Sequence, residues 1–508
     1  MRVILVYPRY PDTFWSFRHA LRFISKRATH PPLGLLTVAA LLPPEWEKKL
    51  VDMNVTPLRD KDLAEADLVF ISAMSVQKDS AKEVIGRAKR MGVKIVAGGP
   101  LFTTEYEEFE DVDYLVLNEA EVTLPPFLED FEKGCPEHIY TSMELPSLTE
   151  TPIPLWRLVD MKRYASMNIQ YSRGCPFDCE FCDITTLFGH RVRTKSKEQI
   201  LSELDSLYFQ GWRGGVFFVD DNFIGNKRKL KENILPAIIS WMERKKYPFT
   251  FSTEASINLA DDDELMELMV RAGFNMVFVG IETPDEKSLA ECGKFQNKNR
   301  DLLACVKKIQ NFGLKVTGGF IVGFDSDSPS IFERQIEFIQ KSGIITAMVG
   351  LLNAPRGTRL YQRLLKENRL LKNFSGNNTD LSINFIPRMN YETLINGYKR
   401  IISRIYSPKP YYERVMKFLK EFKPLPSRRG FHFHFGYLRY HFGYLGAFLK
   451  SIWILGIKDR ARIYYWRLFF WSLFRQPQLF PSAITFAIYG FHFRKVFKDY
   501  LQSEKTRI

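Results

Sequence analysis

Short apolar runs alternate with helical stretches twice along this chain, and that alternation restricts its fold more than any other feature. In the first third, Arg2–Tyr7, Lys49–Met53, Leu68–Ser72, Val93–Ala97 and Tyr114–Leu117 read as strands, and Lys82–Met91 has helical spacing. The strands are nearly continuous in apolar residues, the pattern of strands covered on both faces. This predicts a parallel, doubly wound α/β domain over residues 1–134. Ligands of such sheets sit beyond the carboxyl ends of the strands. Here those ends are Asp52-Met53-Asn54, Ser72 to Ser75, Gly98-Gly99-Pro100 and Asn118-Glu119. Gly98 and Gly99 let a ligand approach the backbone closely.

Pro146, Pro152 and Pro154 favour extended chain, which makes 135–167 a linker. The second alternation then begins. Its strands are Asn168–Ser172, Gly215–Val219, Phe249–Thr253, Met276–Gly280, Lys315–Val322 and Ala347–Leu352. Helical patterns between them include Lys197–Phe209, Asp262–Ala272, Arg300–Phe312 and Ser330–Lys341. This predicts an incomplete TIM-type barrel of six β/α units over 168–373, with reactive groups at the strands' carboxyl ends. Those ends are polar: Asp220-Asp221-Asn222, Glu254, Glu282-Thr283, Gly323-Phe324-Asp325 and Asn353. Helix N-caps account for some of these residues taken singly. Their convergence on one rim points to a site.

The first barrel strand runs into Cys175, Cys179 and Cys182, spaced C-x-x-x-C-x-x-C with Phe181 before the last. Thiolates suit iron–sulfur clusters or zinc. Three of them fill three corners of a four-iron cluster and leave one iron open. The competing reading is a zinc site completed by His190, in a non-catalytic binding protein. Six cysteines are too few for a disulfide scaffold, and Cys135, Cys292 and Cys305 are scattered. The cysteine motif resembles that of the radical S-adenosylmethionine (SAM) superfamily. The resemblance implies a [4Fe-4S] cluster on Cys175, Cys179 and Cys182, with SAM chelating the open iron and cleaved to a 5′-deoxyadenosyl radical. It further implies that Asp220, Asp221 and Asn222 meet the methionine amino group. Glu254 and Glu282 would contact the ribose or methionine part, and Phe181 and the Gly319–Gly323 stretch would lie near adenine.

A doubly wound sheet ahead of that motif resembles the cobalamin-binding domain of cobalamin-dependent radical SAM enzymes. Asp52, Asn54, Ser72, Ser75, Gly98, Gly99 and Glu119 are then the cobalamin-binding candidates. Asn54 stands where related domains place a cobalt-ligating histidine, so cobalamin would bind without a protein histidine on cobalt. Gly357-Thr358-Arg359-Leu360-Tyr361 resembles the stretch that follows the sixth strand in these enzymes, with Tyr361 facing substrate or packed in the core.

The net charge of +14 is concentrated in the tail, where residues 424–508 hold 14 Lys and Arg against 3 Asp and Glu. From 374 the sheet pattern ends, and helices are expected at Tyr391–Ile405 and Tyr411–Phe422. The apolar runs Tyr444–Ile457 and Leu479–Ile488 are shorter than the roughly 20 residues that cross a bilayer. An aromatic helical cap on the barrel, an in-plane membrane helix and nucleic-acid binding all fit such a composition. No RNA-binding motif supports the third. His432, His434, His441 and His492 read as satisfied or surface histidines. Taken whole, the chain resembles cobalamin-domain radical SAM proteins that carry a C-terminal domain of unknown function, a group that includes hopanoid methylases. The implied activity is methylation of an unactivated carbon in an apolar substrate such as a lipid or tetrapyrrole. Ring formation or oxidative rearrangement without methyl transfer is the alternative. An electron donor such as flavodoxin or ferredoxin is implied. A cytoplasmic protein with peripheral membrane contact is expected, because the N-terminal apolar run is too short for a signal peptide.

Overall fold

The computed structural model describes residues 1–371, 375–377, 379–423 and 445–502, with side chains to 498. His432, His434 and His441, and the first residue of the expected tail, lie outside the described residues.

Two six-stranded parallel sheets form the body. The first comprises β1 (Arg2–Tyr7), β2 (Glu47–Asp52), β3 (Leu68–Ser72), β4 (Lys94–Gly98), β5 (Tyr114–Val116) and β6 (Ile139–Tyr140), in the order β2-β1-β3-β4-β5-β6. Both faces are sealed. Ile4, Val6, Val69 and Ile71 pack on one side, and Val3, Leu5, Leu68 and Phe70 on the other. The strand order reverses between β1 and β3, which opens a crevice at their carboxyl ends. β6 pairs with β5 inside the segment read as a linker, so the sheet extends further than the apolar pattern suggested. Two residues are too few to leave a periodic signal.

A short antiparallel pair, β8 (Ser172–Arg173) and β9 (Arg193–Thr194), follows the start of the second sheet. That sheet holds β7 (Ser166–Ile169), β10 (Gly215–Phe218), β11 (Thr250–Glu254), β12 (Phe274–Glu282), β13 (Lys315–Val322) and β14 (Ala347–Leu351). They run in unbroken order from β14 to β7. Every other residue points to the helices outside, as Val277, Val279 and Ile281 do on β12. The alternate residues, such as Met276 and Phe278, face an interior cavity. The expected first strand Asn168–Ser172 divides in two because the chain leaves the sheet after Ile169 and pairs Ser172 with Thr194.

Helices Tyr391–Tyr406 and Pro408–Glu421 cover the β14 edge. Tyr398 Oη donates to the Val349 carbonyl at 3.1 Å, and Tyr406 Oη donates to the Ala347 carbonyl at 2.7 Å. Residues 445–451 are helical and continue as the π-helix Ile452–Lys458, followed by helices Arg462–Arg475 and Phe480–Gln502. The last helix packs on the N-terminal segment. Phe14 stacks on Phe493 at 4.4 Å, and buried His492 contacts the Phe14 carbonyl at 3.0 Å through Nε2. Burial lowers the His492 ring to about 4, so it is neutral.

Candidate functional site

One cavity of about 2150 Å³ joins the two sheets. It reaches Ser72, Ser75, Gly98, Gly99 and Glu119 at the carboxyl edge of the first sheet. It then passes the second sheet's rim at Phe181, Cys182, Asp221, Glu254 and Glu282. From there it runs down the barrel interior, past Ser252, Phe278, Thr317 and Met348, to Thr250 and Thr346 at the opposite ends of the strands. Trp15 from the N-terminal segment and Ile484 from the last helix close its open side.

The cysteine loop is held from outside. Gly174 has φ of +90°, and a Cβ there would lie 2.7 Å from the Arg191 carbonyl, so the loop's entry requires glycine. Glu180 N donates to the Cys292 carbonyl at 2.8 Å. Arg363 grips the Glu180 carboxylate with Nε at 2.7 Å and Nη2 at 3.1 Å, and reaches Asp325 with Nη1 at 2.9 Å. Arg369 donates to the other Asp325 oxygen at 2.6 Å. Burial would raise the Asp325 carboxyl, but these two arginines hold it below the usual range. A bidentate chain of this kind fixes a loop in one geometry.

Burial raises the Cys175 and Cys182 thiols above the ordinary thiol range. Gln296 Nε2 lies 3.6 Å from Cys179 Sγ. Among the described residues no three His, Cys, Asp or Glu side chains gather tightly enough to hold a single metal ion. His190 is exposed.

The acidic residues at the rim divide into two kinds. Asp220 is fully buried and takes hydrogen bonds from Tyr171 N at 3.1 Å, from Ser172 N and from Ser172 Oγ at 2.6 Å. Asn222 Oδ1 accepts from Ser256 N at 3.1 Å and Oγ at 3.2 Å. Both brace the backbone away from the cavity. Asp221 faces it, and burial followed by repulsion from Asp220 raises it to about 7. Glu254 also faces it, raised to about 8 by burial and then by Asp221. Glu282, at φ of +62°, accepts from Lys294 Nζ at 2.6 Å. Gly323 is not part of the cavity wall, but Gly319, Phe320 and Ile321 are.

At the first sheet, Asp52 and Asn54 stand aside from the cavity. Asp52 accepts from Asn54 N and Nδ2 at 2.9 and 2.8 Å, and from Tyr164 Oη at 3.0 Å. Asn54 in turn accepts from Tyr10 N at 3.0 Å and donates to the Pro8 carbonyl at 3.2 Å. The pair therefore holds the loop after β1, which presents Tyr7 and Tyr10 to the cavity. Glu119 lines the cavity but is shared by Arg173 at 2.6 Å and Arg193 at 2.5 Å, while Arg173 also reaches Glu121 at 2.8 Å. These pairs bind the first sheet's edge to the β8–β9 pair that flanks the cysteine loop.

Three family models match the chain: a B12 binding domain over 23–128, the radical SAM superfamily over 169–339, and a domain of unknown function, DUF4070, over 358–506. An uncharacterised methyltransferase of Synechocystis sp. is 43% identical, covering 97% of this chain and 91% of its own length. The hopanoid C-2 methylase of Rhodopseudomonas palustris is 35% identical, covering 81% of this chain and 78% of its own length. The chain belongs to the cobalamin-dependent radical SAM methyltransferases. The cobalamin-dependent radical SAM enzyme OxsB shares its fold, with a TM-score of 0.61 at 16% identity over 100% of this chain and 82% of that one. So does the radical SAM methyltransferase TsrM from Kitasatospora setae, at 0.57 and 14% identity over 99% of this chain and 100% of that one.

The residues present fit the cofactors of this family: a [4Fe-4S] cluster, SAM and cobalamin. Three soft thiols beside the buried cation Lys294 suit an anionic cluster. Burial would lower Lys294, but Glu282 and then Cys179 outweigh it and raise its pKa. Two cavity-facing carboxylates suit the cationic end of SAM. Gly98 and Gly99 leave no side chain between the first sheet's edge and the cavity. A Cβ on Gly99, at φ of +88°, would lie 2.4 Å from Ser72 Oγ.

Sequence reasoning missed Lys294, His30 and the arginines that meet Glu119. Lys294 lies in no motif. His30, before Pro31-Pro32, lines the cavity with its ring 5.3 Å from Phe217, and burial lowers it to about 4. A histidine before a proline pair marks a turn, not a barrel wall.

Proposed function

We propose that this enzyme methylates an unactivated carbon of an elongated apolar lipid of the polycyclic or isoprenoid kind. The observation that carries the reading is the cavity itself. In a complete barrel, side chains fill the interior. Here a cavity runs along the inner face of the strands, beside small residues such as Ser252 and Gly350. The relatives include a hopanoid C-2 methylase and a bacteriochlorophyllide d C-8(2)-methyltransferase, both named for apolar polycyclic substrates.

When bound, the cofactors supply one-electron cleavage of SAM and a transferable methyl group. The chain supplies position and dryness. Asp220, Ser172 and the Arg363 clamp fix the cysteine loop against the first barrel strand. Asp221 and Glu254 attract the positive end of SAM, and Lys294 keeps Glu282 turned to the rim. Phe181, Phe278, Trp15 and neutral His30 form walls that exclude water from a reactive carbon. Thr317 and Met348 line the interior along which substrate would enter. Arg173 and Arg193 tie the β8–β9 pair to Glu119, and the first sheet's crevice shares one cavity with the rim at Cys182.

An electron donor such as flavodoxin or ferredoxin would approach the cysteine loop beside exposed Lys366, whose charge suits an acidic protein. The deciding experiment feeds methyl-labelled SAM and a lipid extract to the reduced, cluster-loaded enzyme. Label in a lipid carbon, with deoxyadenosine and S-adenosylhomocysteine formed together, supports the reading. Deoxyadenosine without S-adenosylhomocysteine refutes it in favour of cyclisation or rearrangement.

A further inference from the structure

We propose that the outer face of the helical pair 445–458 and 462–475 docks on an anionic lipid membrane, with the apolar end of the cavity opening beside it. On the first helix Leu445, Leu449, Trp453 and Ile457 recur every four residues, and all are exposed. They lie opposite buried Ala447 and Leu455. On the second helix Ile463, Phe470 and Phe474 share the outer face, with Ile463 75% and Phe474 76% exposed, opposite buried Tyr465 and Leu468. The helices are held side by side by Trp466 Nε1 donating to the Gly456 carbonyl at 2.9 Å and by Phe448 stacked on Phe469. Their apolar faces therefore form one patch. Scattered exposed apolar residues are ordinary; a contiguous set on two packed helices marks an interaction surface.

The charge around the patch selects the occupant. Lys458, Arg460, Arg462, Arg467 and Arg475 are exposed on or between the same two helices, while Lys450 turns to the Arg22 carbonyl at 3.1 Å and Ser25 Oγ at 2.9 Å. The one acid on it, Asp459, is already paired with Arg494 at 2.7 Å. Long basic side chains around a band of Trp, Phe, Ile and Leu suit anionic headgroups over acyl chains. No helix among the described residues is long and apolar enough to cross a membrane, so the pair would lie in the interface plane.

The cavity links this face to the site. Leu445 belongs to both the exposed patch and the cavity wall, and Phe448, Phe480 and Ile484 continue the wall inward. A lipid leaving the bilayer at Leu445 would follow an apolar surface to the rim without crossing water. The lipid's route rests on the lipid reading above; the docking does not.

The test is sedimentation of the full chain with vesicles of phosphatidylcholine alone and of phosphatidylcholine with one quarter phosphatidylglycerol. Binding to the anionic vesicles is expected, weakening at least about tenfold in F470E/F474E and in K458E/R467E, and in high salt. Unchanged melting temperature and iron content show that the variants are folded. Equal binding by both variants overturns the proposal. So does a loss of dimer on light scattering with vesicle binding intact, which would mean that a second copy covers the patch. Vesicle binding by Cys179→Ala protein separates the docking from the methyl-transfer reading, because that variant binds membrane whether or not the lipid is its substrate.

Discussion

The two parallel sheets are built from the same strand–helix alternation and end in opposite uses of their faces. The first is sealed on both sides by Ile, Val and Leu, so a ligand meets it only at the edge where the order reverses between β1 and β3. The second is sealed outside only, and its inner face is left to a cavity. Strand order decides the difference. Unbroken order lets the sheet curl toward a barrel, whereas a reversal keeps it open with helices on both faces. Substitutions on the two sheets should therefore fail in different ways.

The largest effect is expected at the second sheet's rim. Cys179→Ala should lower SAM cleavage at least about a thousandfold, with loss of cluster absorbance and no large change in fold by circular dichroism. Unchanged turnover would remove the cluster from the site altogether.

Next comes the junction between the first sheet's edge and the β8–β9 pair. Arg173→Met leaves Glu119 and Glu121 buried with less compensating charge, which should cost about 3–5 kcal/mol in a denaturant midpoint. A cost under about 1 kcal/mol would mean that this junction is held by apolar packing alone.

The faces themselves can be set against each other. Ile4→Ala, in the sealed sheet, should lose about 2–4 kcal/mol of stability. Ser252→Val, on the open inner face, should change stability by less than about 1 kcal/mol while altering substrate turnover. Equal stability losses would mean that the inner face is packed and not a channel. At the first sheet's edge, Gly99→Ala forces a side chain into a positive-φ position beside Ser72, and cobalamin retention should fall about tenfold.

The smallest effect is one of pH. Glu254 at about 8 and Asp221 at about 7 are raised by burial, so both are neutral in mild acid. In the SAM-free protein their contribution to stability is full below the usual carboxylate range and is lost as pH rises through 7 to 8. A cation reverses the preference. SAM affinity should therefore rise roughly fivefold between about pH 6 and about pH 8.5, and Glu254→Gln should flatten the rise. Calorimetry of SAM binding to the wild type and the variant checks this.

Much of this organisation was legible in the residues. Continuous Val-Ile-Leu-Val in β1 and the alternating Thr-Phe-Ser-Thr-Glu of β11 write covered and half-covered strands directly, and the cysteine spacing named its own chemistry. The rim acids were legible only as a group. Asp220 and Asp221 are adjacent in sequence, yet one ties down Ser172 and the other faces the cavity, because successive side chains past a strand end diverge. Asp52 and Asn54 end a strand, which local pattern shows; that they also hold the loop after β1 is visible only in the fold.

By itself, then, the sequence determined two strand–helix alternations, three cysteines at C-x-x-x-C-x-x-C spacing and a basic aromatic tail, since those follow from local spacing and composition. Only the tertiary structure decided which acids face the cavity, that Arg173 and Arg193 tie the β8–β9 pair to Glu119, and that the tail's last helix closes the barrel's open side. The physical reason is that local patterns specify what a residue buries. Partners distant in the chain, such as Phe14 and Phe493 or Glu119 and Arg193, meet only after loop closure, and nothing local records the meeting.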